Sequence, residues 1–186
     1  MGLYNTTYYI YTIVRVLTLK LYTLSDQYNS TVVVRQYPRV SFSRLVKSIF
    51  DTPSHIIDNL YLGNSYNASN YDILKENKFD IIINATDYIP NYFENDFTYK
   101  KYDIKDDENA RISLILIDSY NYININNHKK IFVHCYAGAS RSAAIILYYL
   151  MKRYNMSLDD ANAFLLSKRD IVNINMNFIN DIKKMI

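Results

Sequence analysis

The sequence predicts an α/β layered domain, and three observations predict it. Short β-branched apolar runs of strand length recur from about residue 54 onward. Stretches of helical length, rich in good helix formers, alternate with them. One of the apolar runs passes through a short loop straight into a helix, at "KKIFVHCYAGASRSAAIILYYL".

Taken in order, the alternation begins at "HIIDNLYLG" (55–63), an extended stretch ending in Gly63. "NYDILKENK" (70–78) reads as a short helix. "DIIINAT" (80–86) is bounded and β-branched, which is the pattern of a buried strand. "ISLILIDSYNYI" (112–123) carries an apolar helical pattern, and "KKIFVHC" (129–135) is a second buried strand. "RSAAIILYYLMKRYN" (141–155) has helical length. "SLDDANAFLLSKRD" (157–170) opens on a Ser and puts acids in its first turn, as a capped helix does.

The chain of 186 residues is long enough for one domain with a real core and an extension. A net charge of +3, spread along the chain, does not argue for nucleic acid, and none is expected as a partner. The single cysteine excludes an intramolecular disulfide and fits a reducing, cytoplasmic compartment. Abundant Asn, Tyr, Ile and Lys match AT-rich codons. A viral or a protozoan source is compatible with that bias, and composition does not choose between them; for a virus the compartment is host cytoplasm or virion.

Residues 1–53 differ from the rest and are expected to form an N-terminal extension to a domain over 54–186. "YYIYTIVRVLTLKLYTL" (8–24) is apolar, but Arg15 and Lys20 interrupt it, so a membrane-spanning helix is rejected. No small-residue cleavage site follows, which argues against a signal peptide. The segment reads as an added strand or helix, or a loosely ordered extension; an interfacial or partner-binding role, with membrane association, is the sharper alternative. "MGLYNT" fits the acylation pattern at Gly2, a short pattern that also arises by chance. Oligomeric state is not legible.

The stretch "FVHCYAGASRS" (132–142) gathers the only cysteine, one of three histidines and one of three glycines. It sits at the carboxyl end of a predicted strand and the amino end of a predicted helix. In α/β sheets that crevice binds ligands, and loop N–H groups backed by the helix dipole attract anions. Gly138 permits positive φ or a close backbone approach. Arg141 adds a planar fork for two phosphate oxygens. The same field lowers the pKa of a thiol, so Cys135 is the candidate nucleophile. His134 is expected to fix loop geometry and favour the anion, and Ser142 to donate a hydrogen bond to the leaving thiolate. Tyr136, Ala137, Gly138, Ala139, Ser140 and Arg141 are the candidate phosphate-binding residues. Singly, a Cys after a strand is a small buried hydrophobe and an Arg a surface charge; together at one strand-to-helix junction they point to chemistry.

H-C-x-x-G-x-x-R-S resembles the signature of cysteine-dependent protein tyrosine phosphatases, and "VHCYAGASRSAAI" resembles their dual-specificity branch. "IIDNLYLGNSYNA" (56–68), "FDIIINATD" (79–87) and "MSLDDANAFLLSKRDIVNINMNF" (156–178) resemble that branch's opening strand and turn, its next core strand and its closing helices. Compact poxvirus-type members are similar in extent. The resemblance implies a central, mostly parallel sheet flanked by helices, with a phosphate-binding loop between strand and helix. It implies hydrolysis of phospho-Tyr and phospho-Ser/Thr on proteins in two steps through a phospho-cysteine, without metal or cofactor. His55, His128 and His134 have no zinc-ligand spacing, and the first two are expected at the surface.

The family takes its general acid, later its base, from a loop upstream of the nucleophile. "KKYDIKDDENARISLILIDSYNYI" (100–123) offers Asp103, Asp106 and Asp107. Alignment on the helix that follows favours Asp106, 29 residues before Cys135; Asp107 is the runner-up, and Asp103 would sit on the preceding strand. A solvated acidic turn is the bland alternative. Two departures stand out: Ile174 replaces a usual Pro, which bears on the local turn, and Asn177 replaces a usual Gly, while Asn175 is kept. The loop lacks the lysines of inositol-lipid phosphatases and the features of RNA 5′-triphosphatases. With no Trp, the acid loop of tyrosine-only phosphatases is excluded. A module of the same fold that binds phosphoproteins without turnover remains the competing reading, as do lipid and RNA phosphatases.

Overall fold

The structure is a computed structural model. It describes residues 51–107 and 110–185. The expectations for residues 1–50, including the apolar segment 8–24 and Gly2, lie outside the described residues.

Five strands form one sheet: β1 (Ser54–Ile57), β2 (Leu60–Gly63), β3 (Ile81–Asn84), β4 (Thr98–Lys101) and β5 (Ile131–His134). Their order is β1-β2-β5-β3-β4. β1 and β2 pair antiparallel, and the other three pairings are parallel. The sheet is therefore mostly parallel, as expected, and helices flank it. They are α1 (Ser65–Ser69), α2 (Tyr71–Glu76), α3 (Ser113–Ile125), α4 (Arg141–Tyr154), α5 (Leu158–Lys168) and α6 (Met176–Lys183).

Every residue of β3 and β5 is buried, which explains why both read as unbroken apolar runs rather than as alternation. Their side chains still divide by the pleat. Ile81, Ile83, Ile131 and Val133 join one core cluster, with residues of α3, α4, α5 and α6. Ile82 and Phe132 join the other, with Ala68, Leu74, Phe79 and Phe97. Each fully buried large apolar side chain contributes about 1.5–3 kcal/mol. α4 packs against α3, α5 and α6, and its residues Arg141 to Met151 are all buried. A helix covered on every side reads as apolar throughout, as "AAIILYYL" does.

Caps fix the ends. Ser157 accepts from the Asp160 amide, with Asp159 and Asp160 in the first turn of α5. Asn155 closes α4 in the left-handed conformation, φ 54°. β4 ends at Lys101, so Asp103, expected on that strand, lies beyond it in the following loop. Ile174 does not disrupt its turn: it is buried at 9% exposure, and Asn175 starts α6 by accepting from the Asn177 amide. Asn177 lies inside α6, so its tolerance of the left-handed region is not called upon.

Candidate active site

β5 lies between β2 and β3, and its carboxyl end delivers His134 and Cys135 into the loop that precedes α4. Two close approaches hold that loop to the sheet. Gly138 has φ +69°, and a Cβ there would collide with the Gly63 carbonyl. A Cβ on Gly63 would lie 2.6 Å from the Phe132 ring. Two of the chain's three glycines thus meet where loop and β2 touch. The Ser65 amide donates to the Tyr136 carbonyl at 3.0 Å, a further tie from the same side.

Cys135 Sγ accepts from the Gly138 amide at 3.3 Å and from Ser142 Oγ at 3.1 Å. The residue is 2% exposed, so the sulfur is the floor of the cradle rather than a surface thiol. Burial alone would push the thiol pKa up. The Arg141 charge, the Ser142 hydroxyl and the Ser142 and Gly138 amides outweigh burial, and the thiol lies below its ordinary range.

Arg141 is 5% exposed. Its Nη1 donates to the Ile104 carbonyl and its Nη2 to the Tyr88 hydroxyl, both at 3.4 Å. Nε has no hydrogen-bond partner; the nearest acid, Asp106 Oδ2, is 3.6 Å away. Burial disfavours the charge, but Cys135, Tyr88 and Asp106 hold the guanidinium pKa up. A buried cation with long bonds and an open donor keeps capacity for an anion.

The Asp106 carboxylate is brought to this loop. Ser140 Oγ donates to Asp106 Oδ1 at 3.0 Å, and Asn175 Nδ2 to the same oxygen at 3.4 Å. Asn175 Nδ2 also meets the Asp107 carbonyl at 3.3 Å. Ser140 is the N-cap of α4, yet its side chain caps nothing, because it is engaged by Asp106 and by the Asn175 amide. The first N–H groups of α4 stay directed at the loop, where Ser142 meets the sulfur.

His134 is fully buried and stacks on Phe132, ring centroids 5.6 Å apart. Its Nδ1 faces the Cys135 carbonyl at 3.4 Å. Burial, with the Arg141 and Lys101 charges, pushes its pKa down to about 4. At neutral pH it is uncharged and so acts on the loop by packing, not by its own charge. His55 and His128 are exposed.

Two supporting residues escaped the reading of the sequence. Arg169 is 4% exposed; its Nε donates to the Gly138 carbonyl and its Nη2 to the Ala137 carbonyl, both at 3.0 Å. Arg169 thus satisfies two loop carbonyls, while the Gly138 amide of the same loop points at the sulfur. Asn175, the residue kept beside Ile174, ties the acid loop to the phosphate loop. Among the described residues no group of three or more His, Cys, Asp or Glu is placed to hold a metal ion.

Fold and loop together define the class that the sequence resembles, the cysteine-dependent protein tyrosine phosphatases. Residues 60–185 match the family described as dual specificity phosphatase, catalytic domain, and the chain belongs to that family. It is 35% identical over 142 residues to human protein phosphatase Slingshot homolog 1, covering 75% of this chain and 14% of that protein. It is 38% identical over 129 residues to Xenopus laevis dual specificity protein phosphatase 1-A, covering 68% of this chain and 35% of that protein. The chain thus spans about a third or less of these relatives' length. A crystal structure of the human tyrosine phosphatase-like serine/threonine/tyrosine-interacting protein is similar at TM-score 0.66 and 26% identity, over 72% of this chain and 94% of the other. DUSP15 is similar at TM-score 0.67 and 27% identity, over 72% and 86%.

Proposed function

We propose that the chain is a protein phosphatase that cleaves phosphate from tyrosine and from serine or threonine through a phospho-cysteine. The observation that carries this reading is the pairing of a thiol held below its ordinary pKa with a buried guanidinium that has an open donor, at one loop.

The phosphate dianion fills the cradle, taking N–H groups of the loop and the Arg141 fork. Cys135 attacks phosphorus as the thiolate: the S–P bond forms and the P–O bond to the side chain breaks. Asp106, protonated, gives its proton to the leaving oxygen. Asp106 then takes a proton from a water as that water attacks the phospho-cysteine. The S–P bond breaks, Ser142 Oγ donates to the departing thiolate, and inorganic phosphate leaves. Phosphorylated proteins are the proposed partners, and no cofactor is needed in this sequence of steps.

A binding-only module of the same fold is the rival, and one similar solved structure is of a phosphatase-like interacting protein. The test is turnover of a small aryl phosphate by the chain and by Cys135→Ser. We expect turnover that the substitution abolishes, with inorganic phosphate still bound. Phosphate binding without turnover in the unsubstituted chain would establish the binding module instead. A panel with phosphoinositide and triphosphorylated RNA separates the lipid and RNA activities.

A further inference from the structure

Tyr88 is 61% exposed, yet it is not a loose side chain. The backbone on both sides of it is pinned from below. Thr86, fully buried, donates from Oγ1 to Asn84 Oδ1 at 2.7 Å and accepts the Ile89 amide at 3.2 Å. The Ile89 carbonyl accepts from Asn84 Nδ2 at 2.9 Å and from Lys101 Nζ at 3.0 Å, and the Ile89 side chain is buried. With its neighbours anchored, Tyr88 is held out over the loop. Its ring centroid is 5.5 Å from the Arg141 guanidinium carbon, and its hydroxyl reaches Arg141 Nη2. Its ring is 6.5 Å from that of Tyr136, tilted by 45°. Two tyrosines, one from the loop after β3 and one from the phosphate loop itself, therefore stand together beside the anion-binding arginine.

We propose that Tyr88 and Tyr136 form an aromatic wall that makes the site favour phosphotyrosine over phosphothreonine. The inference rests on the phosphatase reading above and deepens it. A phosphate seated against Arg141 carries its ester group up past these rings. In phosphotyrosine that group is an aryl ring long enough to reach the wall and pack on it edge or face. In phosphothreonine it is a single branched carbon that leaves the wall uncovered. The Tyr88 hydroxyl is engaged by the arginine, so the ring and not the hydroxyl is what separates the two substrates.

The test compares kcat/KM for a phosphotyrosine and a phosphothreonine peptide of one sequence, in the unsubstituted chain and in Tyr88→Ala, Tyr88→Phe and Tyr136→Ala. Tyr88→Ala and Tyr136→Ala are expected to lower the phosphotyrosine value about three- to tenfold more than the phosphothreonine value, the worth of an aromatic pair. Tyr88→Phe is expected to keep the unsubstituted chain's ratio, and competitive inhibition by inorganic phosphate should change in step for both substrates. An equal loss on both peptides in Tyr88→Ala would overturn the wall and leave Tyr88 as a support for Arg141. A ratio lost in Tyr88→Phe would also overturn it. Failure of the unsubstituted chain on both peptides would instead overturn the phosphatase reading itself.

Discussion

Arg141 shows how much depends on single side chains here. It lowers the thiol pKa of Cys135, lies 3.6 Å from Asp106 and touches Tyr88, while being almost wholly buried. An uncompensated cation in such a place costs several kcal/mol, and the thiolate and carboxylate offset it. Asp106 is the acid in the proposed mechanism, and its carboxylate meets Ser140, Asn175 and Arg141. Asp106→Asn is expected to slow turnover about 10²–10⁴-fold on an ester with a poor leaving group, and much less on one with a good leaving group. Asp107→Asn should stay within a few-fold of the unsubstituted chain on both. Steady-state rates across a leaving-group series check this, and the reverse order would move the acid to Asp107.

At the scale of elements, the unit that matters is β5, the loop and α4, together with the braces on the loop. Arg169 holds the Ala137 and Gly138 carbonyls from the end of α5, and the Asn173 amide donates to the Ala139 carbonyl. Arg169→Met leaves two loop carbonyls without that partner. It should destabilise the fold by about 2–3 kcal/mol and raise KM for an aryl phosphate severalfold, with Arg169→Lys intermediate in both. Urea unfolding and steady-state kinetics measure the two effects, and no change in either would leave the brace without a role. β3, β5, α4 and α5 were legible because their burial or capping is written into contiguous residues. Asp106 was singled out only through the family resemblance, by alignment on the helix that follows it. Arg169 was not: "SKRD" at a helix end looks like a solvated charge, and its partners lie 31 and 32 residues away in the chain. Tyr88 was illegible for the same reason, since an exposed tyrosine gains meaning only from the arginine beneath it.

At the scale of the molecule, the sheet places a neutral, fully buried His134 on the Phe132 face of β5, next to the nucleophile. Its pKa of about 4 in the fold lies below the 6.5 of an unfolded chain. The unfolded state therefore binds the extra proton between those values, and the fold loses stability as pH falls from about 6.5 to about 4. The loss approaches about 3 kcal/mol at the lower end. Denaturant unfolding at pH 7 and pH 5 should show that slope, and His134→Asn should flatten it even though it is less stable at both; an unchanged slope would locate the acid sensitivity elsewhere. The proposed chemistry turns on the sulfur of the adjoining residue, Cys135. Because the chain has one cysteine, its thiolate absorbance can be titrated directly against Cys135→Ser as the blank. The expected midpoint lies below the about 8.5 of a free thiol and moves upward in Ser142→Ala. A midpoint at or above that value would contradict it.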